Sequence, residues 1–170
     1  ILHISKIKFW EEMNTNLICL ADEDLLRSRA KALNLNLKFK ELQSLNKAEQ
    51  NKKGIIQFFQ VAKCKDSTPG QLNYENAQYI IKNLNFGINH ALKNKKIGLV
   101  TGPIQKSNII EGGFKSFQGH TEWIKKYTKS KEVVMLLAAK NIKVALATTH
   151  IPLAEVSKNI QKLKLVELIN

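Results

Sequence analysis

Three short stretches of this chain place chemically capable side chains where a fold can present them. Thr101-Gly102-Pro103-Ile104-Gln105-Lys106 closes an apolar run with a Gly-Pro turn and sets a lysine at a helix start. An open backbone beside a lysine suits an anionic substrate group. The same residues also read as a plain strand-to-helix turn carrying an exposed lysine. In Phe117-Gln118-Gly119-His120-Thr121-Glu122 the Thr121 hydroxyl is predicted to cap the next helix. The free N–H groups of that first turn, with His120 beside them, suit a phosphate or carboxylate. His120 is also suited to hydrogen-bonding a substrate hydroxyl or, as a cation, to donating to phosphate. The competing reading is an ordinary helix cap. In Ala147-Thr148-Thr149-His150-Ile151-Pro152-Leu153 an imidazole stands at the mouth of an apolar strand, stiffened by the following proline. A neutral imidazole there is a natural ligand for a divalent metal. One His does not make a metal site, since three or more protein ligands are usual. His3 and His90 fall in helical segments away from these loops and are assigned to surface or packing.

The elements that must carry these loops follow from hydrophobic spacing. Residues 1–12 read as a short helical segment and 16–21 (NLICLA) as a buried strand. Residues 22–33 form a predicted helix capped by Asp22, with Leu25, Leu26, Arg29, Ala30 and Leu33 at helical spacing. Alternation over 35–42 predicts a half-exposed strand, 43–53 a loop, and 54–61 (GIIQFFQV) another strand. The turn Ser67-Thr68-Pro69-Gly70 opens a long helix over 71–94. A short buried strand is expected at 97–101 (IGLVT), then a helix over 105–111 ended by Gly112-Gly113, then a helix over 121–127. Residues 133–138 and 143–149 are two apolar strands joined by a tight turn. An amphipathic helix over 153–168 begins after Pro152. Strands alternating with helices predict an α/β fold on a largely parallel sheet, with one antiparallel pair at 133–149. Ligands in such sheets bind beyond the carboxyl ends of strands, which picks out the loops after Thr101 and Thr149.

Composition narrows the partners. The 170 residues carry a formal charge of +13, from 25 Lys and only 2 Arg. Arginine is the residue of choice for bidentate recognition of bases and phosphates. The lysines are scattered and accompanied by 16 Asn and 18 Ile, as a biased source genome would give. A solvated basic surface is therefore the leading reading, with no nucleic-acid partner expected, and a polyanion-binding module is the rival from another class. No stretch approaches the roughly 18–20 apolar residues of a membrane span. Cys19 and Cys64 match no metal or redox spacing, which fits reduced thiols in a cytoplasmic protein.

Taken together, the loops resemble the 4-hydroxythreonine-4-phosphate dehydrogenase family. The matching elements, in order, are Gly70 with Asn76, LVTGPIQK at 99–106, GHTEW at 119–123, VVMLLA at 133–138 and VALATTHIPL at 144–153. The resemblance spans nearly the whole chain, weakly before Ser67 and strongly after it. It implies an isocitrate/isopropylmalate-dehydrogenase-like α/β fold and a homodimer with active sites at the subunit interface. It implies NAD- or NADP-dependent oxidation of the C3 hydroxyl of 4-phosphohydroxy-L-threonine. Decarboxylation then gives 3-amino-2-oxopropyl phosphate for vitamin B6 synthesis. By motif, His120 and Thr121 would contact substrate, Lys106 would belong to the same pocket wall, and His150 would be the first of three metal-binding histidines. The metal, Zn²⁺, Mg²⁺ or Co²⁺, would polarise the hydroxyl as hydride leaves to the nicotinamide.

The departures shape the expectation as much. The family opens with a strand and a Gly-rich loop that have no match here, and it continues well beyond the point matching Asn170. The expected chain is thus truncated at both ends: residues 1–66 an N-terminal part, 67–170 a central part with the substrate and first metal-ligand loops, and the C-terminal lobe absent. Gln105 stands where the family usually has His or Asn. Alone, these residues are expected to lack dehydrogenase activity. A paralogue oxidising threonate or erythronate phosphate would carry the same loops.

Overall fold

The computed structural model describes residues 1–149 and 151–169 and divides into two compact units, Ile1–Phe117 and Gln118–Asn170. The turn at 67–70, where the sequence reading divides the chain, lies inside the first unit.

The first unit is built on a three-stranded parallel sheet in the order β1 (Ile18–Leu20), β3 (Ile55–Phe59), β2 (Lys38–Glu41). Ile18 pairs with Gln57 and Lys38 with Ile55, so β3 is central. Its side chains alternate between faces. Ile56 and Phe58 lie in one core with Trp10, Leu26 and Ala30. On the other face Phe59 stacks on Phe86 with ring centroids 5.1 Å apart. Gln57 is buried, and its amide is satisfied by the backbone of Glu49 through bonds of 2.8 and 2.7 Å. Before β1, a 3₁₀ turn at Ile4–Lys6 and the single-turn α1 (Phe9–Glu12) deliver Trp10 to the core.

Helix α2 (Glu23–Ala32) starts as the sequence predicts, with Asp22 accepting from the Leu25 N–H at 3.0 Å. It ends on Asn34 at φ 53°, with the Leu35 N–H bonded to the Ala30 carbonyl, the usual left-handed helix stop. Helix α3 (Ala77–Lys93) buries Ala77, Ile81, Leu84, Gly87 and Ile88, one helical stripe. It begins later than the sequence suggests, because Asn73 caps a separate 3₁₀ turn at Tyr74–Asn76.

The strand expected at 97–101 is not formed. No strand among the described residues pairs with it, and Val100 is 90% exposed. Leu99 packs at Gly87, where an added Cβ would lie 2.7 Å from one of its methyls and 3.4 Å from the other, and the Ile97 N–H bonds the Asn94 carbonyl at 2.9 Å. Helix α4 (Lys106–Glu111) follows, stopped at Gly112 and Gly113 as predicted.

The second unit holds α5 (His120–Thr128), an antiparallel hairpin of β4 (Met135–Ala139) and β5 (Ile142–Leu146), and helices α6 (Leu153–Asn159) and α7 (Lys162–Ile169). The expected single helix over 153–168 is broken. Ile160 is extended at φ −88° and ψ 99°. Just before it the Asn159 amide donates to the Glu155 carbonyl at 2.9 Å, a side-chain bond that competes with the helix ladder. Both strand pairings of the α/β reading are present: a parallel sheet and one antiparallel pair.

Candidate functional site

His120 is the first residue of α5. Position 119 must be glycine for the chain to enter this helix, since its φ of 147° and ψ of 178° lie outside the space open to other residues. The expected cap is therefore corrected. Thr121 is the second helical residue, and α5 has no side-chain cap. Its opening N–H groups lack partners within the helix, as in any first turn. The Nε2 of His120 is shielded from solvent and has no hydrogen-bond partner among the described residues. Leaving such an atom unpaired costs about 1–3 kcal/mol, so a ligand that supplies its partner would gain that much. His120 and Thr121 are thus consecutive on one exposed-to-half-buried helix start, a fitting place for an anion or a substrate hydroxyl.

Lys106 lies in the first unit, at the first position of α4, and is exposed. Thr101, Gly102 and Pro103 before it are exposed too, and a Cβ built on Gly102 meets nothing within 4 Å. The loop is open, as expected, although it does not leave the end of a strand. Gln105 turns its amide back to the Ser107 hydroxyl at 3.4 Å. Helix α4 is held from below: Ile109 is fully buried, Asn108 donates to the Asn73 carbonyl at 3.2 Å, and Gly112 lies against Ala77 and Tyr74.

His150 lies outside the described residues. Among the described residues no three of His, Cys, Asp and Glu come together in a metal-holding group. The described residues thus do not fit a divalent ion on their own, and an ion would need donors from outside them. A small cavity lined by Ala147, Asn159, Ile160, Gln161, Leu165 and Leu168 has about 10 Å³, room for a water. His3 is exposed, and His90 packs on Phe86 and bonds its carbonyl at 3.0 Å, so both are packing or surface residues as expected.

Sequence reasoning missed a polar lock at the carboxyl ends of β1 and β3. Asp22, 1% exposed, accepts from the Leu25 and Cys64 N–H groups and faces the Lys63 ammonium at 3.6 Å. Tyr79 accepts the Asp22 N–H at 3.1 Å. Arg29 donates to the Ser67 carbonyl and hydroxyl at 2.9 and 2.6 Å. Asn76, also buried, brackets Lys65, accepting from its N–H at 2.7 Å and donating to its carbonyl at 3.2 Å. These groups gather at the strand ends where an open α/β sheet usually takes its ligand. Desolvation there raises the Cys64 thiol, with the Asp22 carboxylate adding to it, and raises the Tyr79 phenol, against which the bond from the Asp22 N–H pulls downward. Burial pushes Cys19 up to about 11. Both thiols therefore stay protonated near neutral pH and make poor nucleophiles. The signal for the lock was Asn73 and Asn76 just ahead of a helix, residue types that favour caps and turns.

Comparisons with known proteins agree with this architecture. The family described as pyridoxal phosphate biosynthetic protein PdxA matches residues 12–170. A 4-hydroxythreonine-4-phosphate dehydrogenase of Yersinia enterocolitica is 36% identical over 160 residues, 94% of this chain and 48% of its own length. The enzyme of that name from Colwellia psychrerythraea is 35% identical over 150 residues, 88% of this chain and 46% of its own. The crystal structure of a 4-hydroxythreonine-4-phosphate dehydrogenase from Burkholderia phymatum superposes with a TM-score of 0.82 at 23% identity, covering 98% of this chain and 49% of that one. That from Klebsiella pneumoniae gives 0.79 at 19% identity, covering 99% and 51%. The fold is shared, and the chain spans about half the length of the relatives it matches. On the family match over residues 12–170 and the identity to these relatives, the chain belongs to the PdxA family of pyridoxal phosphate biosynthetic proteins.

Proposed function

We propose that this chain is part of an NAD- or NADP-dependent dehydrogenase. It oxidises the C3 hydroxyl of 4-phosphohydroxy-L-threonine, with decarboxylation to 3-amino-2-oxopropyl phosphate, in vitamin B6 synthesis. The observation that carries the reading is the unpaired, buried Nε2 of His120 at the start of α5, beside Thr121. It stands in a chain 36% identical to a relative named for this activity. In this reading the fold is of the isocitrate/isopropylmalate-dehydrogenase-like kind, and the protein works in the cytoplasm as a homodimer. His120 holds a substrate oxygen through its imidazole and Thr121 through its hydroxyl, while Lys106 binds an anionic group of the substrate. His150 is one ligand of a divalent ion, Zn²⁺, Mg²⁺ or Co²⁺, whose other donors lie outside these residues. The 170 residues by themselves are then inactive.

The test is nicotinamide reduction by the full chain as it occurs, with 4-phosphohydroxy-L-threonine and, in parallel, with threonate and erythronate phosphates. Turnover on the first, with His120→Ala lowering kcat/KM about tenfold to a hundredfold, is the expected result. Faster turnover on a sugar-acid phosphate would reassign the substrate. No nicotinamide reduction with any of the three would sink the dehydrogenase reading.

A further inference from the structure

Lys106 has to be aimed by something, because α4 is a six-residue helix without a side-chain cap. A helix that short does not hold its own shape in water and takes its orientation from what it packs on. Two adjacent residues within the helix supply such contact, beside the packing of Gly112 at its end against Ala77 and Tyr74. Ile109 is 0% exposed and Asn108 7% exposed, and the Asn108 amide donates to the Asn73 carbonyl at 3.2 Å. At about 100° per residue, positions 108 and 109 lie roughly 200° and 300° around the helix from Lys106. Fixing both of them fixes the roll of the helix and turns Lys106 outward. The two anchors differ in kind. Ile109 is held by burial, which is non-directional. Asn108 is held by a hydrogen bond, which is sensitive to angle.

The receiving carbonyl is itself held in place. Asn73 donates to the Asp66 carbonyl at 2.9 Å and accepts from the Glu75 N–H at 2.9 Å. Asp66 lies in the segment that Arg29 and Asn76 pin to α2 and α3. A continuous line of polar contacts thus runs from α2 through Asn76 and Asn73 to α4.

We infer that Asn108 is a positioning residue for anion binding by Lys106, its amide on the Asn73 carbonyl setting the roll of α4. The inference rests on the anion-binding role proposed for Lys106. Its test is calorimetric titration of the full chain with inorganic phosphate, on the wild type and on the Lys106→Ala, Asn108→Ala and Asn108→Asp variants. Asn108→Asp keeps the side-chain shape but removes the donor. The expected result is weaker binding in Lys106→Ala and, in both Asn108 variants, a Kd raised about threefold to tenfold with the stoichiometry unchanged. A purely structural role would instead lower the folded fraction, and with it the stoichiometry, at a constant Kd. Asn108 variants that bind with the wild-type Kd while Lys106→Ala does not would overturn the positioning role and leave that of Lys106 intact. A Lys106→Ala variant as tight as wild type, or a wild type that takes up no phosphate, would remove the role of Lys106 and this inference with it.

Discussion

A methyl group added at Gly112 would run into the Cβ of Ala77 and lie 2.5 Å from the Tyr74 carbonyl oxygen. Neither can retreat easily, since one begins α3 and the other is backbone. Gly112→Ala is expected to destabilise the protein by about 1–3 kcal/mol, seen as a lower denaturant midpoint at unchanged slope. Cys19 yields a prediction of another kind. Its thiol is protonated in both states below pH 9, whereas the folded value is about 11. Between those limits the unfolded chain loses its proton first, so folding loses stability as pH rises through that window. Comparing wild type with Cys19→Ala isolates the effect: the difference in unfolding free energy should shift by up to about 3 kcal/mol across it. A difference that stays flat would show the thiol to be solvated. At this scale His120 was legible from its place beside Gly119 at a helix start. Asn73 and Asn108 were not, because in a chain with 16 Asn they read as compositional bias, and Asn76 stood out only through the family pattern. Only the fold shows which of them are buried.

Elements were read best where local signals sufficed. The Asp22 cap, the Gly112-Gly113 stop and the hairpin pairing appear where turn chemistry and periodicity put them, although β5 ends at Leu146 rather than Thr149 and Leu33 of the expected α2 stripe is 47% exposed. Failures came where a partner decides. Residues 97–101 have the composition of a buried strand, but a strand needs a neighbour, and none among the described residues pairs with them. The break between α6 and α7 falls at Ile160, next to the side-chain bond of Asn159 and away from any glycine or proline. The polar lock carries the sharpest prediction for elements, because Asp22 serves both the start of α2 and the segment after β3. Asp22→Ala removes a cap and leaves the Cys64 N–H without an acceptor, for a loss of about 2–4 kcal/mol in chemical unfolding. Asp22→Asn, which keeps one acceptor oxygen, should lose less. Equal losses in the two variants would mean that the carboxylate charge, facing Lys63, dominates.

For the molecule as a whole, the α/β class and both strand pairings could be read from the order of the motifs. The division between Phe117 and Gln118 could not, since the glycines that flank it, Gly112, Gly113 and Gly119, read equally as a helix stop and a turn. The hairpin of the second unit bears Leu136, Leu137, Ile142 and Val144 at 57, 56, 65 and 45% exposure. Apolar surface of that extent favours self-association. The +13 charge opposes it, since like-charged copies repel one another at long range. These two tendencies respond oppositely to electrolyte. Added salt shortens the reach of the repulsion from about 10 Å at 0.1 M to about 3 Å at 1 M, while leaving the attraction between hydrocarbon faces intact. Light scattering by a dilute solution of these 170 residues should therefore rise with sodium chloride. Exchanging Leu136 and Ile142 for threonine should abolish the rise. This ribbon thus contributes to the colloidal behaviour of the stretch, and its tolerance of crowding ends where its electrostatic shield does.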